Sequence, residues 1–148
     1  MDLKDTTYPL RVALRAKLNN VVKYNDVAVP FYDSLVPDAA PDNFVVIKDQ
    51  NEADSSLKCG FHTDVHVTLD IVTRFPVGTG SGTIRDAIST SINTLLCSTD
   101  QAKRINLKPD FNLYTAVRTL SRNIEEVEKT RNVFRKVNIY QFKIQQLT

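Results

Sequence analysis

Three clusters of residues in this 148-residue chain could do chemistry. The first is Gly78-Thr79-Gly80-Ser81-Gly82, between a strand-like run and a helix-like run. A loop that cradles phosphate sits in that position, where helix N–H groups point at the anion. This loop lacks the Lys-Ser/Thr pair that completes a P-loop, and its glycine spacing does not fit a dinucleotide fingerprint. It reads as a flexible connector leading to an exposed helix N-terminus. The second cluster is His62, Asp64 and His66, which alternate along one strand face. Alternate strand residues lie ~6.6–6.8 Å apart, so neighbours can share a metal while the two histidines, about twice as far apart, cannot chelate it alone. There is no third histidine. This face reads as a polar surface turned to solvent or to another subunit. The third cluster is the cysteine pair Cys59 and Cys97, which form no CxxC and have no metal-like spacing. They read as reduced thiols of a reducing compartment. No Ser/His/Asp or Cys/His arrangement stands out. The residues ask for no catalytic group, no cofactor and no metal.

Charge is more informative than chemistry. The net charge of +2 is too small to argue for nucleic acid. Its distribution is uneven: acidic side chains outnumber basic ones up to Asp100, and the balance then reverses. A monomer gains nothing obvious from such polarity. A subunit that sets its basic side against a neighbour's acidic side does, because head-to-tail contacts join two different surfaces. The candidates for such an interface, or for the lining of a lumen, are Arg118, Arg122, Arg131, Arg135 and Lys136. Chance segregation in a short chain is the plain alternative. The stretch from Arg131 to Lys136 also suits contact with a nucleic-acid backbone, although such runs are more often the solvated face of a strand.

These residues must be held by a fold, and the pattern predicts one. Leu10, Leu14, Leu18, Val21 and Val22 form an apolar stripe for a helix over 7–24, capped by Thr6 or Thr7 with Pro9 in the first turn. Residues 27–32 read as a short strand, at an edge or interrupted because Pro30 cannot donate to a ladder. A proline- and aspartate-rich loop over 36–42 leads to a strand over 43–48, then a polar loop over 51–56. Residues 61–75 alternate strictly, the odd positions from Phe61 to Phe75 on one face and the even positions from His62 to Arg74 on the other, with Val67 and Leu69 in the core and Thr68 and Asp70 outside it. A helix over 83–97 buries Ile84, Ile88, Ile92 and Leu95. After a loop over 98–109 come a strand over 111–120, a charged connection over 123–131 and a last strand over 133–144. The apolar positions of that last strand shift from odd to even, as a bulge or burial of both faces would produce. The whole is an α+β domain, with a mainly antiparallel sheet of about five strands and two helices on one face. The length suits one domain. No apolar run approaches the ~20 residues of a membrane span, and the first residues show no signal-peptide pattern.

The order of elements resembles the tail-terminator and tail-completion proteins of tailed phages, which close the tail tube and join it to the head. The resemblance rests on the helix Leu10–Val22, on Val29-Pro30-Phe31-Tyr32 and on the turn Val36-Pro37-Asp38-Ala39-Ala40-Pro41 before Phe44-Val45-Val46-Ile47. It continues through the long strand ending in Arg74-Phe75, the glycine loop and the helix Ile84–Leu96. It covers about residues 8–97. Phe75 stands where the family often has Trp, and the loop over 98–109 is long. The resemblance implies one terminator-like domain over 1–148 in the virion, in the tail or neck, assembled in the host cytoplasm. It implies a homo-oligomeric ring, usually of six copies, or twelve in a short-tailed particle. The partners would be the tail tube and neck or portal-side proteins, with DNA passing the lumen unread. A small adaptor, or a nucleic-acid-binding module using the basic C-terminal face, is the alternative.

Overall fold

A computed structural model describes residues 2–147, so Met1 and Thr148 lie outside the described residues. The chain runs α1 (Thr7–Leu18), β1 (Lys23–Tyr24), β2 (Val27–Ala28), β3 (Phe31–Asp33), β4 (Asn43–Asp54), β5 (His62–Pro76), α2 (Thr83–Leu96), β6 (Phe111–Val127) and β7 (Arg131–Gln146), with a short 3₁₀ turn at Gln101–Lys103. A five-stranded sheet has the order β3-β4-β5-β7-β6, and β1 and β2 form a separate ribbon. All neighbours in the main sheet are antiparallel except β3 and β4. The fold is α+β, as the pattern predicts.

Helix α1 ends at Leu18, six residues short of the predicted Tyr24. Asn20 takes the left-handed region (φ 63°), which asparagine tolerates better than most residues and which stops a helix. Asn25 and Asp26 also have positive φ (48° and 63°), the signature of the tight turn that joins β1 to β2. Thr6 stands at the helix N-cap but makes no cap bond, and its hydroxyl donates to Glu52 instead (2.9 Å). Pro30 divides the predicted strand over 27–32 into β2 and β3, and β3 lies at the edge of the sheet.

The strands run longer than their apolar content signals. β4 continues through the polar stretch to Asp54, past a register shift between Ile47 and Gln50. β6 continues to Val127, through most of the predicted charged connection. The ladder, not hydrophobicity, holds these ends: β5 carries β4 out to Asp54↔Thr63, and β7 carries β6 out to Val127↔Asn132. The β5–β7 register is unbroken from His62↔Gln145 to Pro76↔Arg131. The shift of apolar positions in β7 therefore comes from burial on both faces. The bulges lie in β6, between Leu113 and Thr115 and between Arg118 and Leu120.

Leu10, Leu14 and Leu18 of α1 and Ile88, Ile92 and Leu96 of α2 are buried with Val65, Val67, Leu69, Ile71, Tyr140, Phe142 and Ile144 from one face of the sheet. Leu96 takes the place expected for Leu95, which packs only partly. On the same face Asn138 is fully buried, donating to Ser89 (2.9 Å) and Tyr140 (3.1 Å), while the Tyr140 hydroxyl donates to Asn93 (2.6 Å). This satisfied polar patch fixes α2 against β7, because a buried amide left unpaired would be costly. The opposite face carries a second, smaller cluster of Phe44, Val46, Val72 and Val133, with Val36 and Ala40 of the preceding loop packed on it.

Asp70 corrects the alternation. It belongs to the face away from the helices, yet it is only 2% exposed, as buried as the core residues beside it. The Arg135 guanidinium grips it, with Nε at 3.2 Å and a second, shorter contact from Nη2, and Lys48 Nζ approaches at 2.9 Å. A period-two pattern reports which face a side chain points to, not whether that face is covered.

Two outcomes follow for stability. Leu69→Ala should cost about 2–5 kcal/mol, as large-to-small core changes do, and Asp70→Ala should also cost about 1.5–3 kcal/mol through its lost charge-assisted bonds. Urea unfolding of both variants checks this; an Asp70→Ala protein as stable as wild type would show that the cluster contributes nothing. Gly80 has φ +124°, and an added Cβ would stand 2.5 Å from the Phe134 ring and 2.9 Å from Phe75. Gly80→Ala should therefore lower the melting temperature, and Gly78→Ala, with nothing within 4 Å, should lower it less.

Candidate functional site: the charged face and edges of the sheet

The glycine loop is a packed corner. Gly80 lies against Phe75 and Phe134, which meet edge-on with centroids 5.5 Å apart. Gly82 occupies the N-cap position of α2 and makes no side-chain cap bond. The Arg85 guanidinium lies against Gly82 and over the Phe134 ring at 5.5 Å, so the first turn of α2 is covered by its own arginine. The glycines admit this close approach of backbone, ring and cation, a role that spacing alone did not reveal.

His62, Asp64 and His66 share the sheet face away from the helices. His62 stacks on Tyr114 (5.9 Å, 10° between planes), and no group of three His, Cys, Asp or Glu among the described residues is placed to hold a metal ion. Cys59 is exposed; Cys97 is half-buried, and burial pushes its thiol above the ordinary value.

The five basic candidates divide. Arg131 pairs with Asp42 (2.9 Å). Arg135 pairs with Asp70 and Glu126 (2.8 Å to the latter), and these bonds, Asp70's first, raise its pKa further above the ordinary arginine value. Lys136 points to the helix side and pairs with Asp86 of α2 (3.0 Å). Arg135 and Lys136, neighbours in sequence, are thus on opposite faces of β7 and tied within the chain. Arg118 and Arg122 are exposed on β6 and make no ion pair among the described residues.

The network Lys48–Asp70–Arg135–Glu126 crosses four strands, β4, β5, β7 and β6, on the face without helices. It borders a groove of about 450 Å³ floored by Val36, Phe44, Val46, Val72 and Val133. Arg74 lies over Phe44 at 4.8 Å on the rim. Sequence reasoning missed this network because its members lie up to 87 positions apart and only the register of the sheet brings them together.

The two sides of the sheet differ in charge. β6 is the outer strand on one side, and residues 117–123 are all exposed. Its Glu125 and Glu126 are neutralised by Arg85 (3.6 Å) and Arg135, which leaves Arg118 and Arg122 as its unpaired charges. On the other side β3 covers β4 only from Val45 to Ile47. Residues 51–54 of β4 are exposed, and Asp49, Glu52 and Asp54 give that stretch an acidic edge.

No family model matches the chain, and no curated protein matches it. Among solved structures it is similar to a chain from the virion of a native gene transfer agent (GTA) particle. The match has a TM-score of 0.61 at 16% identity and covers 95% of this chain and 91% of that one. The chain shares its fold with a virion component. The likeness covers more of the chain than the residues 8–97 that carried the sequence resemblance. No helix among the described residues is long and apolar enough to cross a membrane.

The ion pairs separate structural from free cations. Arg135→Glu would place a third carboxylate beside Asp70 and Glu126 and should lower the melting temperature by several degrees, as loss of a buried charge network does. Arg118→Glu and Arg122→Glu should each change stability by no more than about 0.5 kcal/mol. Differential scanning calorimetry of the three variants checks the ordering, and equal effects would contradict it.

Proposed function

We propose that this chain is a non-catalytic structural subunit of a virion, a ring-forming tail terminator or head–tail connector. It joins the tail tube to the neck and lets DNA pass through the lumen unread. The observation that carries this reading is the likeness along the whole chain to a virion component. The order of elements and the proline-rich turn before β4 resemble the terminator family, which supports a place at the tail end of the particle. The described residues offer paired charges and packed glycines where a catalytic site would need an activated group in a cleft. The ring has six copies, or twelve if the particle has a short tail. Its neighbours are tail-tube and neck or portal-side proteins, and its place is the virion.

A closed ring requires two different surfaces per subunit. The basic edge at β6 and the acidic edge at β4 supply surfaces of opposite sign. An exposed ion pair is worth only ~0.2–1 kcal/mol and is screened by salt, so assembly should weaken at high ionic strength without vanishing.

Mass photometry and negative-stain microscopy of the purified chain test the reading, alone and with tail tubes. A discrete species with the mass of six or twelve copies and a central hole is expected. A chain that stays monomeric alone and does not cap tail tubes would overturn it.

A further inference from the structure

We infer that neighbouring copies join by their sheet edges, with the outer edge of β6 from one copy laid antiparallel along the exposed end of β4 in the next. The contact presupposes the ring proposed above and names its surface. Strand direction comes first. β4, β5, β7 and β6 alternate in direction, each antiparallel to the last. A second copy placed beside β6 in the same orientation therefore presents its β4 antiparallel to β6. The sheet continues from copy to copy with the helices always on the same side, and the operation is a rotation that can close.

The edges are open to such pairing. Among the described residues no strand lies outside β6, and its register with β7 is regular from Leu120 to Val127. No strand lies outside β4 beyond Ile47 among the described residues, where β3 ends its pairing. Free strand edges are templates for another chain's backbone.

Charge selects the partner. Two β6 edges could also pair with each other across a two-fold axis, but that brings Arg118 and Arg122 against the same residues of the other copy. Like charges facing each other across strands are unfavourable and opposite charges favourable. Arg118 points to the helix side of its strand, as do Glu52 and Asp54 of theirs, through pairing with Tyr140, Val65 and Thr63 respectively. The bulge between Arg118 and Leu120 turns Arg122 to the face away from the helices, so an antiparallel register that sets Arg118 beside Asp54 brings Arg122 level with Asn51, two residues from Asp49. Glu52 accepts from Thr6 and Thr7 on the helix side, and Asp54 accepts from Ser56 through Oδ1 alone, so Asp49 and the second oxygen of Asp54 are the acceptors left to a neighbour.

A mixing experiment tests the contact. One variant carries Arg118→Glu with Arg122→Glu and so has two acidic edges. The other carries Asp49→Lys with Asp54→Lys and has two basic edges. Neither should form rings alone, and an equimolar mixture should, because each edge then meets its opposite. Calorimetry of each variant confirms folding first. If either fails to fold, Arg118→Gln with Arg122→Gln and Asp49→Asn with Asp54→Asn replace them; each should weaken assembly, and mixing should not restore it. Wild-type rings indifferent to all four reversals would overturn the edge contact and leave the ring standing, as would reversals that keep the ring but alter genome passage, which would place Arg118 and Arg122 in the lumen. Open, salt-sensitive chains of copies that respond to the reversals would overturn the ring and leave the contact standing. Monomers under every condition would overturn both.

Discussion

The ladder between β5 and β7 is the constraint on which the rest of this structure depends. It runs without a register shift from His62↔Gln145 to Pro76↔Arg131. Each strand in it presents one set of side chains to the helices and another to the opposite face. A slip of one residue would exchange the two sets and turn Val65, Val67, Leu69 and Ile71 away from α1 and α2. The buried amide of Asn138 adds a second lock, since it reaches Ser89 of α2 only while β7 turns its even-numbered side chains toward the helices. β4 and β6 are then held on either side, and the length of the central pair sets how far they extend.

The helices cover only one face, so the other face must be stable without a second layer. It manages this in two ways. Around Phe44, Val46, Val72 and Val133, the loop carrying Val36 and Ala40 folds over the strands. Beside that cluster, Asp70 draws in Arg135 and Lys48, and Arg135 also holds Glu126. The Asp70 carboxylate is almost fully covered, while Arg135 and Lys48 keep 22% and 43% of their side-chain exposure. A buried charge is tolerable when its partners remain partly hydrated, because the desolvation cost then falls mainly on one group. The network pins four strands across the face where no helix reaches.

Much of the fold was legible because its signals are local. The alternation over β5, the apolar stripe of α2 and the proline between β2 and β3 each depend on neighbours in sequence. The misses follow the same logic. Residues 51–54 and 123–127 read as a polar loop and a charged connection, yet they are strands because β5 and β7 offer them a ladder. Asp70 read as an outside residue because its cover comes from Arg135, 65 positions away. The basic C-terminal third read as one surface, and the sheet divides it: Lys136 to the helix side, Arg135 to the other face, Arg118 and Arg122 to the rim. Net charge along a chain locates an excess; only the register says which cations are already satisfied by a carboxylate of the same chain.

Natural sheets blunt their edges with short strands, bulges, prolines or charge. This sheet uses a short strand at one side, where β3 spans Phe31–Asp33, and leaves the remainder of β4 uncovered. At the other side β6 is 17 residues long, with its two bulges confined to its first half and no proline. The protection left to the second half of β6 is its unpaired charge, and the same holds for the acidic end of β4. Charge is a selective guard. It repels an edge of the same sign, which prevents two copies from pairing through equivalent strands, and it does nothing against an edge of opposite sign. A proline, which has no N–H to donate, would have blocked both. An edge guarded by charge alone is closed to its own kind and open to its complement.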